Sequence, residues 1–143
     1  MIARDTNILV YAHREDSPWH EAALRAVASL AEQPATWALP WPCLHEFLAI
    51  VTHPRIYRPA TPLTLACDQI DAWLESPSVV LLGEADGYWP ALRAQVLAGR
   101  IVGPAVHDAH VAALCVAHGV RELWTHDRDF GRFRSLAVRN PLV

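Results

Sequence analysis

Four carboxylates, Asp5, Glu46, Asp108 and Asp127, stand at positions where acids can converge on one site. Hard divalent cations such as Mg²⁺ and Mn²⁺ prefer oxygen ligands. Mg²⁺ takes one or two carboxylates directly and keeps waters that meet a substrate phosphate. Acids brought into one cleft repel one another unless a cation neutralises them. A bound ion can then activate water and stabilise the charge that builds on phosphorus. Two ions roughly 4 Å apart can divide those tasks. The chemistry suggested is metal-assisted hydrolysis of a phosphate ester, and no rival nucleophile paired with a base is evident. Each acid also has a plainer reading. Asp5 suits a helix N-cap, Glu46 a solvated helix position, Asp108 a first-turn charge, and Asp127 and Asp129 a turn.

The elements that must position these acids follow from pattern. Ile2–Arg4 reads as a strand that runs straight into a helix from Thr6 to about His13. Ser17-Pro18 has the character of an N-cap and first helical residue, opening a helix to about Glu32 with Ala23, Val27 and Leu30 on one face. Trp37-Ala38-Leu39 is a strand candidate. Pro42 opens a helix to about Thr52 on which Leu44, Phe47, Leu48 and Val51 share a stripe, leaving Glu46 turned off it. Thr61-Pro62 starts a helix to about Glu75, and Val79–Leu82 is a buried strand. Further helices are predicted over Tyr88–Ala98, closed by Gly99, and over Ala105–His118, closed by Gly119. Ala109, Ala112, Ala113 and Val116 form the core stripe of the latter. Glu122–Thr125 and Ala137–Arg139 complete the strands. Strands alternating with helices predict an α/β fold with a mainly parallel sheet. Asp5 and Asp127 then fall beyond the carboxyl ends of strands, where open parallel sheets form their sites.

Composition bounds the rest. One domain, residues 1–143, is the expected organisation, long enough to bury a core. No apolar stretch is long enough to span a bilayer, and the N-terminus lacks the pattern of a secretory signal. Cys43, Cys67 and Cys115 are odd in number and scattered, as expected of reduced thiols in a cytoplasmic protein. The net charge is −3, yet all 12 basic residues are Arg. Arginine clustered around a site can hold phosphate bidentately even in an acidic protein. A GC-rich codon usage explains the missing Lys equally well.

The segments around the acids resemble one family, the PIN domains of VapC type. Asp5-Thr6-Asn7-Ile8-Leu9-Val10-Tyr11-Ala12 resembles the family's opening. Glu46-Phe47-Leu48 with Thr52-His53-Pro54-Arg55 resembles its second motif, and Asp108-Ala109-His110 its third. Thr125-His126-Asp127-Arg128-Asp129-Phe130, with the tail to Asn140-Pro141, resembles its fourth. The motifs occur in order over nearly the whole chain. The resemblance implies a five-stranded parallel sheet between helices and an endoribonuclease toxin that uses Mg²⁺ or Mn²⁺. It implies a homodimer and silencing by a cognate antitoxin, which lays a segment along a groove and places a basic side chain in the acidic pocket. It makes Asp5, Glu46, Asp108 and Asp127 catalytic, with Asp5, Asp108 and Asp127 as metal ligands. Thr6, Asn7, Thr125 and Asp129 would support them. One departure is Arg4, where the family carries an apolar strand residue. Its outlets are a site carboxylate or solvent at the strand end.

Other residues are weighed in the same way. Arg14 and Arg128 are candidates for contact with RNA phosphates. His107 and His110 flank Asp108 without a zinc-type spacing. His110 is expected to pack or support the site, and His126 to be exposed. The six tryptophans are expected mostly in the core, with Trp19 and Trp41 the two that could instead meet a base or a partner. A phosphatase reading of Asp127-x-Asp129 fails because Phe130-Gly131 follows. A degenerate scaffold that binds without catalysis would be favoured by loss of an acid, and none is lost.

Overall fold

The computed structural model describes all residues 1–143. Five strands form one sheet: β1 (Ile2–Arg4), β2 (Trp37–Pro40), β3 (Val79–Leu82), β4 (Glu122–Trp124) and β5 (Ala137–Arg139). Their order is β3-β2-β1-β4-β5, and every neighbouring pair is parallel. Six α-helices connect them: α1 (Thr6–His13), α2 (His20–Glu32), α3 (Trp41–Val51), α4 (Leu63–Leu74), α5 (Tyr88–Gly99) and α6 (Val106–Ala117). The α/β, five-stranded parallel architecture expected from the sequence is the one observed. No helix is long and apolar enough to cross a membrane.

The strand order explains where a site forms. From β1 the chain steps outward through β2 to β3, then crosses back over the sheet to place β4 on the other side of β1. Successive connections therefore part company between β1 and β4. A crevice opens there at the carboxyl ends of the strands. Asp5 and Thr125 are the first residues past β1 and β4. Their backbones extend the ladders, Asp5 N–H donating to Trp124 O (2.9 Å) and Thr125 N–H to Arg139 O (2.9 Å).

A core cluster of 27 buried residues packs around the sheet, including Ala3, Trp37, Leu39, Phe47, Trp73, Ala109, Ala112 and Leu123. A smaller cluster, Ile8, Ala12, Ala23 and Val27, locks α1 onto α2. The predicted stripes hold at most positions: Leu44, Phe47 and Val51 are buried, as are Ala109, Ala112 and Ala113, while Leu48 and Val116 at the stripe edges are half-buried.

Several boundaries differ from the sequence reading. α2 starts at His20, not at Pro18. Ser17 instead closes a turn: its N–H donates to Arg14 O (3.1 Å) and its Oγ accepts from Trp19 N–H (3.2 Å). Gly99 belongs to α5, and Arg100 takes the left-handed conformation at φ 50°. Gly99 is small for a different reason. A Cβ there would come within 2.9 Å of the Ile101 side chain, which folds back into the core. A 3-10 turn, Gly103–Ala105, leads into α6, and another, Arg128–Arg132, follows β4.

Arg4 takes neither outlet expected of it. It is fully buried, with its guanidinium carbon 3.8 Å above the Trp37 ring. Nη2 donates to Val27 O on α2 (3.1 Å), and Nε and Nη1 have no partner. Burial pushes its pKa down to about 9, so it is still charged at neutral pH. One neutral acceptor and one ring face compensate that desolvation only in part. Arg4→Met should therefore stabilise the fold, by about 1–2 kcal/mol on the scale of buried-charge replacements. Urea unfolding at pH 7 reads this directly. An unchanged or lowered midpoint would show that the ring and carbonyl contacts outweigh the desolvation.

Candidate active site

Four carboxylates from four places in the chain line one cleft of about 210 Å³: Asp5, Glu46, Asp108 and Asp127. Thr6, Asn7, Val10, Tyr11, Ile50 and Tyr57 complete the lining. Asp5 ends β1 and caps α1. Glu46 projects from α3, Asp108 sits in the first turn of α6, and Asp127 caps the 3-10 turn after β4.

Asp5 is the most elaborately held. Oδ1 accepts from Thr6 N–H (2.8 Å) and from the buried Cys43 thiol (3.6 Å). Oδ2 accepts from Thr125 Oγ1 (2.8 Å), with Asn7 Nδ2 at 3.5 Å. Thr125 Oγ1 in turn accepts from Asn7 Nδ2 (3.1 Å) and from Asp127 N–H (3.0 Å). Asn7 Oδ1 accepts from His126 N–H (3.0 Å). One hydroxyl and one amide thus tie the ends of β1 and β4 together. Thr6 Oγ1 donates to Glu46 Oε2 (3.3 Å), bringing α3 into the same network.

Burial, with a smaller push from the Glu46 charge, raises the Asp5 carboxyl to about 6 despite the hydrogen bonds from Thr125, Thr6 and Cys43. Asp108 is also raised, first by burial and then by Asp127. Arg132 opposes this, while Glu46 and Asp129 add to it. Burial lifts the Cys43 thiol well above its ordinary range, so it is a neutral donor.

Mutually repelling oxygen donors with no basic side chain among the lining residues suit a hard cation. No three Asp, Glu, His or Cys side chains close into a ready-made ligand cage.

The chain matches the PIN domain model over residues 2–136. The chain belongs to the PIN-domain family. Among relatives of this PIN domain, Ribonuclease VapC48 of Mycobacterium tuberculosis is 34% identical over 137 residues, spanning 96% of this chain and 94% of that one. VapC ribonuclease Mb2897 of Mycobacterium bovis is 33% identical, spanning 99% and 96%. A solved structure of VapBC2 from Rickettsia felis bound to a promoter DNA fragment shares the fold, with a TM-score of 0.68 and 22% identity over 98% of each chain.

Other expected residues of this PIN domain lie outside the cleft lining. Asp129 is exposed. Its backbone N–H donates to Asp127 Oδ1 (2.8 Å), and its carboxylate lies 3.6 Å from Arg132. Arg14 is spent on the chain itself. It grips Asp16 (2.6 and 2.9 Å), donates to Pro59 O (3.0 Å) and Thr61 Oγ1 (3.2 Å), and stacks over Tyr57. It is a clamp on the 53–61 loop rather than a free cation. Arg128 is exposed. His110 pairs with Glu84 (2.6 Å), and burial is not what holds Glu84 low: its own backbone N–H and His110 do.

Some neighbours were not anticipated. Trp19 and Trp41 are 36% and 37% exposed rather than packed away, and His126 is half-buried against Tyr11 and Trp19. Val10 and Tyr11 were legible in principle, since they follow Asn7 by three and four residues on one helix face. Ile50 follows Glu46 in the same way. Cys43 carried no signal. A second cavity, about 630 Å³, adjoins the cleft and shares Glu46 and Asp108 with it. His45, His107 and His110 line its other walls.

The Asp5 shift has a measurable consequence for the metal-free protein. Its folded pKa exceeds its unfolded value, so its contribution is fully present below about 4 and lost as pH rises through 6. Asp5→Asn keeps the cap and removes the titration. Relative to wild type it should gain about 3 kcal/mol between pH 4 and pH 7, before discounting for relaxation. Parallel denaturant titrations in EDTA give the difference. A gap independent of pH would show that Asp5 ionises normally.

Proposed function

We propose that this PIN domain is a Mg²⁺- or Mn²⁺-dependent endoribonuclease and the toxin of a toxin–antitoxin pair, acting in the cytoplasm. The observation that carries the reading is the convergence of Asp5, Glu46, Asp108 and Asp127 on one cleft at the sheet's switch point. The relatives named as VapC ribonucleases, aligned over nearly the full chain, support RNA as substrate. The solved VapBC2 assembly supports a protein antitoxin as partner. A homodimer follows from the family resemblance.

Asp5, Asp108 and Asp127 are the residues that would hold the ion. When bound, it supplies charge neutralisation at the phosphate and a more acidic water. The chain's own groups do the positioning. Thr125 and Thr6 fix both oxygens of Asp5, and Cys43 closes its buried side. Glu46 Oε2 is tied to Thr6, while no group of the chain reaches Oε1. Oε1 is therefore free to accept a hydrogen bond from water or substrate in the cleft. The antitoxin would silence the site most directly with a basic side chain, which offsets the same repulsion the ion does.

Total cellular RNA, incubated with antitoxin-free protein, should be cut in Mg²⁺ or Mn²⁺ and left whole in EDTA. Asp108→Asn should lower the rate by about 100-fold or more. Thr125→Val, which touches only the ligand's support, should cost about 10- to 100-fold. Equal cutting by wild type and Asp108→Asn would sink the assignment of the site.

A further inference from the structure

Beside the acidic cleft, three aromatic rings meet that the hydrolytic chemistry does not use. Tyr11 and Trp19 lie 5.1 Å apart between centroids at 38°, Trp19 and His126 4.7 Å apart at 47°, and Tyr11 and His126 5.8 Å apart edge-on. The group borders the reacting centre on two sides. Tyr11 lines the cleft, and His126 immediately precedes Asp127. The His126 ring is held at Nδ1 by Asn140 (3.2 Å), and its backbone N–H donates to Asn7 Oδ1 (3.0 Å). The backbones that carry the other two rings are also fixed: His20 Nδ1 meets the Tyr11 carbonyl at 3.0 Å, and Trp19 N–H donates to Ser17 Oγ (3.2 Å). Trp19 keeps 36% of its surface in solvent, as Trp41 (37%) and Trp89 (63%) also do, but of these three it alone stacks within this ring cluster beside the cleft.

We propose that Tyr11, Trp19 and His126 form a stacking subsite for one unpaired nucleobase flanking the phosphate in the acidic cleft. The inference rests on the nuclease reading of that cleft. Electrostatics favour it. The chain is net negative, the cleft presents four carboxylates, and Arg14, on the same helix side, is already neutralised by Asp16. Arg128, exposed just after Asp127, is left as a nearby cation, and ring faces attract a base without needing charge. Stacking is tolerant of base identity because every base has a π-face. The subsite therefore selects single-stranded over paired RNA rather than one sequence.

The test measures binding apart from cutting. A 5′-labelled, unstructured RNA decamer is titrated by fluorescence anisotropy in Mg²⁺ against the Asp108→Asn chain, alone and combined with Trp19→Phe or Trp19→Leu. Trp19→Leu should weaken binding roughly 5- to 150-fold, the span of one aromatic–base stack. Trp19→Phe should restore most of the affinity. The slope of log Kd against log salt should stay the same, because no phosphate contact is removed. A single abasic position walked along the decamer should weaken binding at one place, and at none in Trp19→Leu. Thermal unfolding of both variants separates stacking from packing, since Leu retains apolar bulk.

Undiminished binding by Trp19→Leu, a flat abasic scan, or no RNA binding at all would overturn the subsite. So would a loss confined to a protein partner, which would make the rings a docking face for an antitoxin. If Trp19→Leu loses RNA affinity as described but the wild-type chain cuts no RNA in Mg²⁺ or Mn²⁺, the subsite stands and the nuclease reading falls.

Discussion

An aspartate at the end of the central strand is taken out of water and kept there by donors from three elements. Burial disfavours its charge, while Thr6 N–H and Thr125 Oγ1 favour it, and the balance leaves the carboxyl at about 6. The rest of the site is arranged around that compromise. Thr125 cannot serve Asp5 without β4 lying beside β1. Asn7 cannot serve Thr125 unless α1 starts directly at Asp5. Asp127 is placed by the same hydroxyl that holds Asp5. A sheet whose connections diverge between β1 and β4 supplies that adjacency through backbone pairing alone. The polar network then needs few additional constraints.

The remaining acids arrive on helices, and their packing sets how close they come. α3 buries Leu44, Phe47 and Val51, which turns Glu46 toward the cleft. α6 is buried along Ala109, Ala112 and Ala113, small residues that let it lie close to the sheet. Asp108, in its first turn, faces the cleft in consequence. The repulsion felt by Asp108 from Asp127 and Glu46 is the electrostatic cost of this convergence in the metal-free chain. A divalent ion would offset it, which would link the packing of these helices to the chemistry proposed for the cleft.

Most of this was legible in the sequence, for identifiable reasons. Strand-like runs such as Val79–Leu82 and stripes such as Leu44-Phe47-Val51 encode burial through period, and burial fixes which way Glu46 points. Short motifs around the acids were dense enough to show a family. The failures came where a side chain's partner lies far away in sequence. Arg4 is buried over Trp37 and against Val27, a contact that no local pattern announces. Arg14 is consumed by Asp16 and the 53–61 loop, so a cation that looked available for phosphate is not. Gly99 looked like a helix terminator, but its smallness serves the Ile101 side chain. Trp19 and Trp41 stay partly exposed, although their residue type argues for the core.

Glu46 and Asp108 line both the acidic cleft and the histidine-lined cavity beside it. Whatever occupies one space acts on the same two charges as whatever occupies the other. Charges bound in the two spaces would be coupled through those carboxylates, and such coupling is reciprocal. A cationic guest in the larger cavity would compete with the ion in the cleft, and an anionic one would reinforce it, without either sharing the ion's space. The cavity would thus offer a handle on the cleft from its histidine-lined side, at His45, His107 and His110.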